Sequence, residues 1–261
     1  MKRLILVPFA AAALALSSCS MLQNLNSEYL LEGGAKVAQA MTLSDTEIQA
    51  YVAQYVAQSD AQNKVLPASN AYVKRLAKIT SGLTQVGDVP LNFKVYQTSD
   101  VNAFACADGS VRVYTGLMDL MDDDELLGVI GHEIGHVALE HTKKDMKNAL
   151  LRSAALSGLA STGETMAALT QSDLAALGEA MMSAKFSRKQ ETEADDFSYA
   201  FLKAAGYDPT CMRNSLVKLQ SLESSATTMN GPVSQLFSSH PTTDKRIANI
   251  EKQLKADGYI Q

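Results

Sequence analysis

The chain has 261 residues, 46% of them hydrophobic, which is enough to bury a sizeable core in one large domain or two small ones. Its formal net charge is −5 and its basic residues form no block, which excludes the electrostatic pattern expected of a nucleic-acid-binding protein. Three cysteines are too few for a disulfide-dense small fold or for a four-cysteine zinc site.

The first 18 residues are typical of an export signal. Two basic residues precede an uncharged apolar stretch over 4–16, which is too short to span a bilayer. Small residues then lead to a cysteine at 16–19, a pattern that resembles the lipobox of bacterial lipoproteins. By that resemblance the mature chain begins at Cys19, whose acyl chains attach it to a membrane. The alternative is an ordinary secretory peptide followed by a chance cysteine.

The residues after the signal predict location and domain organisation. Ser20 follows Cys19, whereas an Asp there would resemble the inner-membrane retention signal of enterobacterial lipoproteins. The sequence therefore predicts a lipid-anchored protein on the periplasmic side of the outer membrane. Residues 19–43 are polar and form a predicted tether, and residues 44–261 form the predicted catalytic domain.

The two remaining cysteines, Cys106 and Cys211, form an even pair in an oxidising compartment. Sequence alone does not show whether their Cα atoms come close enough for a disulfide. Two interpretations stay open: a Cys106–Cys211 bridge, or two buried thiols.

The predicted elements change along the chain from mixed to mainly helical. The first part predicts two helices and three strands, at 44–58, 68–80, 91–97, 101–106 and 110–114. Later residues predict helices at about 122–142, 145–160, 172–205, 209–222 and 242–257. Charged residues interrupt the Ala- and Leu-rich part of this region, which favours packed helices over a membrane span. The predicted fold class is α+β, mostly helical with a small sheet.

An HExxH motif occupies residues 132–136 within a predicted helix. His132 and His136 are four residues apart, so both imidazoles lie on one helical face and can reach one metal ion. Glu133 lies beside them, where a general base for hydrolysis is needed. Asp122 and Glu125 form a capping pattern that starts this helix. The alternative is a surface helix with two accidental histidines. It does not account for the capping pattern, the helical periodicity and the export signal together.

The other faces of this helix carry two further patterns. One face is apolar and predicts contact with the core, with the histidines roughly opposite; it contains Leu126, Leu127, Ile130, Ile134 and Val137. Three glycines form a further stripe, which lowers helix propensity and suggests that another backbone packs closely there; they are Gly128, Gly131 and Gly135.

A catalytic zinc site needs a third protein ligand. His141 is interpreted as a structural histidine, because its helical angle does not suit the shared metal. Glu191 and Asp195 lie four residues apart on one helical face, whereas Glu193 points elsewhere. A His-His-Glu set is typical of thermolysin-like hydrolases, the gluzincins. From spacing alone, however, a solvated acidic helix face explains this segment better.

Five motifs in order over about residues 40–255 resemble the HtpX-like gluzincin family, which also contains the CAAX prenyl proteases, and most resemble its LoiP-like branch of periplasmic lipoprotein metallopeptidases. These motifs are Asn102-Ala103-Phe104-Ala105, Gly116-Leu117-Met118, His132-Glu133-Ile134-Gly135-His136-Val137 with His141, Glu191-Thr192-Glu193-Ala194-Asp195, and Ser239-His240-Pro241 with Arg246.

The resemblance implies a zincin-type domain and a role for each matching residue. Glu191 becomes the third zinc ligand beside His132 and His136. Asp195 is either a proton donor or a residue that orients a zinc-bound histidine. His240 either stabilises the oxyanion or occupies the open position of the metal in a latent state. Arg246 supports the site.

The predicted function is that of a zinc-dependent metalloendopeptidase with one Zn²⁺ per chain and Glu133 as general base. The segment 101–106 is predicted to act as an edge strand that pairs with extended substrate, which favours unfolded or misassembled envelope proteins. The predicted partners are these substrates, the membrane through the lipid anchor and an envelope quality-control protein, with nucleic acid excluded. The alternative is a latent, zinc-binding chaperone-like or scaffold lipoprotein.

Overall fold

A computed structural model describes residues 44–148, 175, 178–179, 185–226, 236, 239–241 and 243–261. Its helices are α1 (Asp45–Gln62), α2 (Ala71–Ile79), α3 (Thr115–Leu120), α4 (Asp123–Ala138), α5 (Arg188–Ala204), α6 (Thr210–Ala226) and α7 (Asp244–Ala256). Residues 141–148 are also helical. The strands are β1 (Gln85–Val86), β2 (Val89–Pro90), β3 (Asn92–Tyr96), β4 (Ala103–Ala105) and β5 (Ser110–Tyr114).

The predicted α+β fold, mostly helical beside a small sheet, is confirmed. The predicted helices and strands that lie in the described ranges are present, most with shifted ends, but the helix predicted over 172–205 is interrupted because residues 185–187 are not helical. The β1–β2 hairpin and α3 were not predicted from the sequence. The signal peptide, Cys19, the tether and most of 149–184 lie outside the described residues, so the division at 18 and 43 stays a prediction. Among the described residues, each helix is too short or too polar to cross a bilayer.

The small sheet has the order β3–β5–β4. β3 runs parallel to β5, whereas β4 is antiparallel to it, with Ala103 opposite Val113 and Ala105 opposite Val111. β5 is buried along its length because it is central, and β4 packs against α4. Among the described residues, β4 therefore has a partner strand on one edge only, and its other edge lies on the side of the molecule that carries the HExxH helix.

A buried ion pair ties the N-terminal helix to the sheet. Arg112 on β5 is 1% exposed, and its guanidinium donates to both carboxylate oxygens of Asp60 on α1 at 2.8 and 3.0 Å. Tyr96 and Lys94 on β3 donate to the same carboxylate at 2.6 and 2.7 Å. Four side chains from three elements thus satisfy one another in a region with little water.

Replacing Asp60 by Asn is expected to lower the free energy of unfolding by about 3 kcal/mol, because Arg112 would stay buried without a counter-charge. Urea unfolding followed by circular dichroism measures this change. Lys94→Met is the matched control: its side chain is 40% exposed, so its loss should lower stability by less than about 1 kcal/mol. Equal losses in the two variants would contradict the buried pair as the important interaction.

The same network predicts an acid transition. Burial alone would raise the pKa of Asp60, but the hydrogen bonds from Arg112, Lys94 and Tyr96 outweigh it and lower the pKa to about 2. The folded-state pKa lies below the unfolded value of about 3.9, so this stabilisation is complete above the unfolded pKa and disappears as the pH falls toward 2. In Asp60→Asn, unfolding free energy should depend less on pH in that range.

α4 is the central helix of the structure. It begins with the predicted capping box, in which Asp122 accepts from the Glu125 amide and Glu125 accepts from the Asp122 amide. It ends at Ala138, four residues earlier than predicted, because Glu140 adopts a left-handed conformation with φ 58°. Helix then resumes at 141. This break gives the chain a new direction directly after the HExxH motif.

The predicted core face of α4 is confirmed, since its five apolar residues belong to the main hydrophobic cluster. The rest of the helix is covered as well: every residue from 126 to 137 is buried. α5 and α6 pack against α4, and residues 239–241 with α7 complete the cover. The histidines therefore lie off the apolar core, as predicted, but inside the protein.

Cys106 and Cys211 are both free and buried, so of the two interpretations left open, two buried thiols is correct and the bridge is wrong. Cys106 lies in a hydrophobic cluster with α1, whereas Cys211 lies in the main cluster around α4. Burial raises the pKa of Cys211 to about 12, so this thiol stays protonated and unreactive at neutral pH.

Candidate metal centre

α4 supplies the first two donor atoms of the centre. His132 and His136 follow each other by one turn, and their Nε2 atoms lie 3.0 Å apart. Both imidazoles are buried. Burial lowers the pKa of His136 well below its ordinary value, which keeps this imidazole neutral and able to donate a lone pair.

Two other segments bring the remaining donors to the same point. α5 begins with a capping box at Ser187 and places Glu191 in its first turn, with Oε1 3.3 Å from His136 Nε2. His240, just before α7, has its Nδ1 3.1 Å from Glu191 Oε1 and 3.2 Å from His132 Nε2. Four buried donors from three separate segments thus converge, and all lie within 4.8 Å of one another.

The spacing of these donors is close to what one metal ion requires. Ligands with bonds of about 2.0–2.1 Å at tetrahedral angles lie about 3.3–3.4 Å from one another. Four of the six separations here are 3.0 to 3.3 Å, and all six lie within 4.8 Å. His132 Nε2 faces two other imidazole nitrogens, and one nitrogen cannot form good hydrogen bonds to both while also facing a carboxylate. A shared cation explains the convergence of all four lone pairs.

Asp195 holds the first histidine from behind. Its Oδ1 lies 2.8 Å from His132 Nδ1, so Nδ1 carries the proton and Nε2 is left with its lone pair toward the centre. Asp195 does not belong to the four converging donors. Of the two roles that the resemblance leaves open for Asp195, this geometry favours orientation of His132.

Arg246 links the two acidic residues of α5. Its guanidinium donates to both oxygens of Asp195 at 2.7 Å and to Glu191 Oε2 at 2.5 Å. Burial would raise the pKa of Asp195, but the hydrogen bonds from Arg246 outweigh it and lower the pKa. Arg246 therefore keeps the Asp195 carboxylate ionised and holds both carboxylates in place.

His141 completes a second chain of contacts behind His136. Because the helix breaks at Glu140, His141 turns back and its Nδ1 lies 3.0 Å from His136 Nδ1. His141 Nε2 lies 3.6 Å from Glu193 Oε2. His141 does not belong to the converging donors, as predicted. It nevertheless contacts His136, because α4 ends before this residue and the helical angle assumed for His141 does not apply.

Glu133 lies beside the centre without joining it. It is buried, close to the backbone amide of Ala105 on β4. Oε1 has no hydrogen-bond partner and lies 3.5 Å from His240 Nε2. Burial raises the pKa of Glu133, which moves it toward the range suited to a general base.

The glycine stripe of α4 explains how these segments come so close. A Cβ at Gly135 would lie 2.8 Å from the Ala194 carbonyl of α5, and one at Gly128 would lie 2.4 Å from the Cys211 carbonyl of α6. The predicted close approach of other backbones is thus present. Because α5 reaches α4 at Gly135, its Glu191 and Asp195 reach the two histidines.

A cleft borders the centre on the side of β4. Its walls include Ala103 and Ala105 of the edge strand, and Glu133 and His240 lie in it. Phe186, which the sequence reasoning missed, stacks on His136 with ring centroids 3.8 Å apart and also lines the cleft. It stands just before the α5 cap, and no short motif marks it.

Comparison with known proteins places this geometry in a family. Residues 67–254 match the model of peptidase family M48. The chain belongs to peptidase family M48. Metalloprotease LoiP of Escherichia coli (strain K12) is 41% identical over 98% of both chains, and metalloprotease YcaL of the same organism is 38% identical over 96% of both. This M48 protein is therefore a metalloprotease, as the sequence predicted.

A more distant M48 relative is larger. The beta-barrel assembly-enhancing protease of Escherichia coli (strain K12) is 28% identical over 63% of this chain, but the match covers 34% of that protein.

Proposed function

We propose that this M48 protein is a zinc metalloendopeptidase that holds one Zn²⁺ per chain through His132, His136 and Glu191. The observation that carries the proposal is the convergence of buried imidazole and carboxylate donors, whose ligand atoms lie within 4.8 Å of one another. Neutral imidazoles and a carboxylate are the donor set of catalytic zinc in gluzincins, and Asp195 orients His132 in the way that metal-bound histidines require.

Bound zinc and Glu133 would have separate roles in hydrolysis. Bound zinc would act as a Lewis acid that polarises the scissile carbonyl and lowers the pKa of a coordinated water to about 7. Glu133 takes the proton of the attacking water and delivers it to the leaving amine. Its Oε1 has no hydrogen-bond partner among the described residues and is available for this exchange.

The substrates we propose are unfolded or misassembled envelope proteins. The open edge of β4 can pair with an extended chain and bring its backbone past Glu133. Pairing through main-chain groups reads little of the side-chain sequence, so specificity depends on whether a segment is unfolded. An envelope quality-control protein that delivers such chains remains part of the proposal.

We also propose that the protein is attached to the periplasmic face of the outer membrane through a lipid on Cys19. The support is the sequence alone: an export signal that ends in small residues and a cysteine, followed by Ser20 rather than Asp. The tether of residues 19–43 would place the cleft away from the bilayer surface.

A first experiment measures zinc content and cleavage of fluorescently labelled casein by the purified full chain. About one zinc per chain and cleavage that a chelator abolishes are expected. Zinc binding without cleavage would favour the alternative, a latent zinc-binding scaffold. That alternative has one observation in its favour, because His240 Nδ1 lies among the ligand atoms in the position that substrate needs.

His240→Ala is expected to increase casein cleavage. In the described arrangement its imidazole completes the donor set and its Nε2 faces Glu133, so both reacting groups are engaged. Minor open states are commonly populated at about 0.1–10%, so removing the imidazole should raise kcat/KM by about tenfold or more. A fall of about 10²-fold would instead assign His240 to the oxyanion, and continued absence of cleavage would favour the scaffold.

A further inference from the structure

Three buried polar side-chain atoms in the described part of the chain have no hydrogen-bond partner. They are Glu133 Oε1, Thr142 Oγ1 and Ser198 Oγ. Buried polar atoms in native proteins are nearly always paired, so each exception needs an explanation. Glu133 Oε1 has one, because the proposed reaction brings a water proton to it. Packing explains Ser198 Oγ, because this atom fills the space beside Gly131. A Cβ built on Gly131 would lie 2.4 Å from Ser198 Oγ.

Thr142 Oγ1 is left without an explanation from packing or from the reaction. The residue is 7% exposed, so its hydroxyl is removed from bulk water. Unlike Ser198, it lines the cleft, where it lies with Glu133 and with Ala103 and Ala105 of the edge strand. Two of the three unpartnered atoms therefore belong to residues of one cavity, and the first of them is reserved for the substrate reaction.

The backbone holds Thr142 rigidly with respect to the metal centre. The left-handed Glu140 ends one helix and starts the next, and His141 contacts His136 at 3.0 Å. Thr142 follows directly, in the first turn of the 141–148 helix. A residue whose neighbour is fixed to a metal ligand is well placed to position a substrate against that metal.

We propose that the Thr142 hydroxyl is a substrate-binding group that forms a hydrogen bond with the peptide backbone in the cleft. An extended peptide that pairs with β4 satisfies only the main-chain groups that face the strand, and the groups on its other side need different partners. A threonine hydroxyl can both donate and accept, so it can serve either a carbonyl or an amide. This inference rests on the proposed peptidase function of the same cleft.

Kinetics of three variants on labelled casein test the proposal. Thr142→Val keeps the shape and removes the hydroxyl, and kcat/KM should fall about tenfold, mainly through KM, as expected for one neutral hydrogen bond. Thr142→Ser keeps the hydroxyl and should stay within about twofold of wild type. Ser198→Ala removes the other unpartnered hydroxyl, outside the cleft, and should leave the kinetics unchanged. The melting temperature of Thr142→Val should not fall, because no internal hydrogen bond is lost.

Two results would overturn the proposal. One is a kcat/KM of Thr142→Val within about twofold of wild type. The other is an equal loss in Thr142→Ser, which would assign the effect to the lost methyl group. If wild type binds zinc but cleaves nothing, anisotropy of a fluorescein-labelled casein peptide replaces kinetics: Thr142→Val must bind about tenfold more weakly, and equal affinities would reject the hydroxyl. If wild type neither cleaves nor binds the peptide, the proposed function and this inference fail together.

Discussion

Replacing Glu133 by Gln is expected to lower kcat/KM for casein cleavage by about 10²–10⁴-fold, the usual contribution of a general base, while zinc content stays unchanged. The donor atoms belong to other residues, so the metal has no reason to leave. Gln has the same shape and can still accept a hydrogen bond, but it cannot take a proton from water. Metal analysis of the sample measures its zinc content, and initial rates on the same sample measure kcat/KM.

The matched control for this experiment is Glu251→Gln. Glu251 forms a partly exposed ion pair with Arg213, and such a pair contributes little to stability or to the site. Its variant should keep wild-type rates and zinc. If Glu133→Gln retained more than about a tenth of wild-type kcat/KM, another group would have to serve as the base. His240 would be the next candidate, because its Nε2 faces the same carboxylate.

The local parts of the site could be predicted because their information lies within a few residues. Asp122 and Glu125 satisfy the first amides of α4 by a capping box, and the four-residue spacing of His132 and His136 fixes their common face. β5 was likewise predicted with its observed ends. In each case short-range hydrogen bonds or periodicity decide the outcome.

The third donor could not be predicted from spacing. Glu191 is separated from His136 by more than fifty residues, and an acidic helix face looks the same whether it faces solvent or a metal. What distinguishes the two is the approach of α5 to α4 at Gly135, which is a tertiary contact. The family resemblance identified Glu191, because the family's motifs place this residue beside the two histidines as the third zinc ligand. The Asp60–Arg112 pair is hidden in sequence for the same reason.

Two expectations failed for identifiable physical reasons. Helical periodicity continues past Ala138, but the left-handed Glu140 interrupts the helix, and this redirects His141 toward His136. The even cysteine count suggested a bridge, yet Cys106 and Cys211 are buried in different hydrophobic clusters. Both errors came from extending a local rule across a point where tertiary packing decides.

Replacing Glu191 by Ala is expected to weaken zinc affinity by more than about 100-fold, beyond the 10–100-fold typical when only an outer partner of a ligand is lost. The change removes the carboxylate that faces His136, and it also removes the acceptor of one Arg246 hydrogen bond. Cleavage should be lost with the metal. Competition with a chromogenic chelator measures the affinity directly.

Glu193→Ala separates loss of the ligand from loss of acidic charge on the same helix. Glu193 is two residues away, its side chain is 41% exposed, and it pairs with Lys189. Because it reaches the centre only through His141, its removal should change zinc affinity by less than tenfold, below the range for a direct partner. Equal losses in the two variants would mean that the acidic face of α5 attracts zinc through its charge, and the assignment of Glu191 as the third ligand would then be wrong.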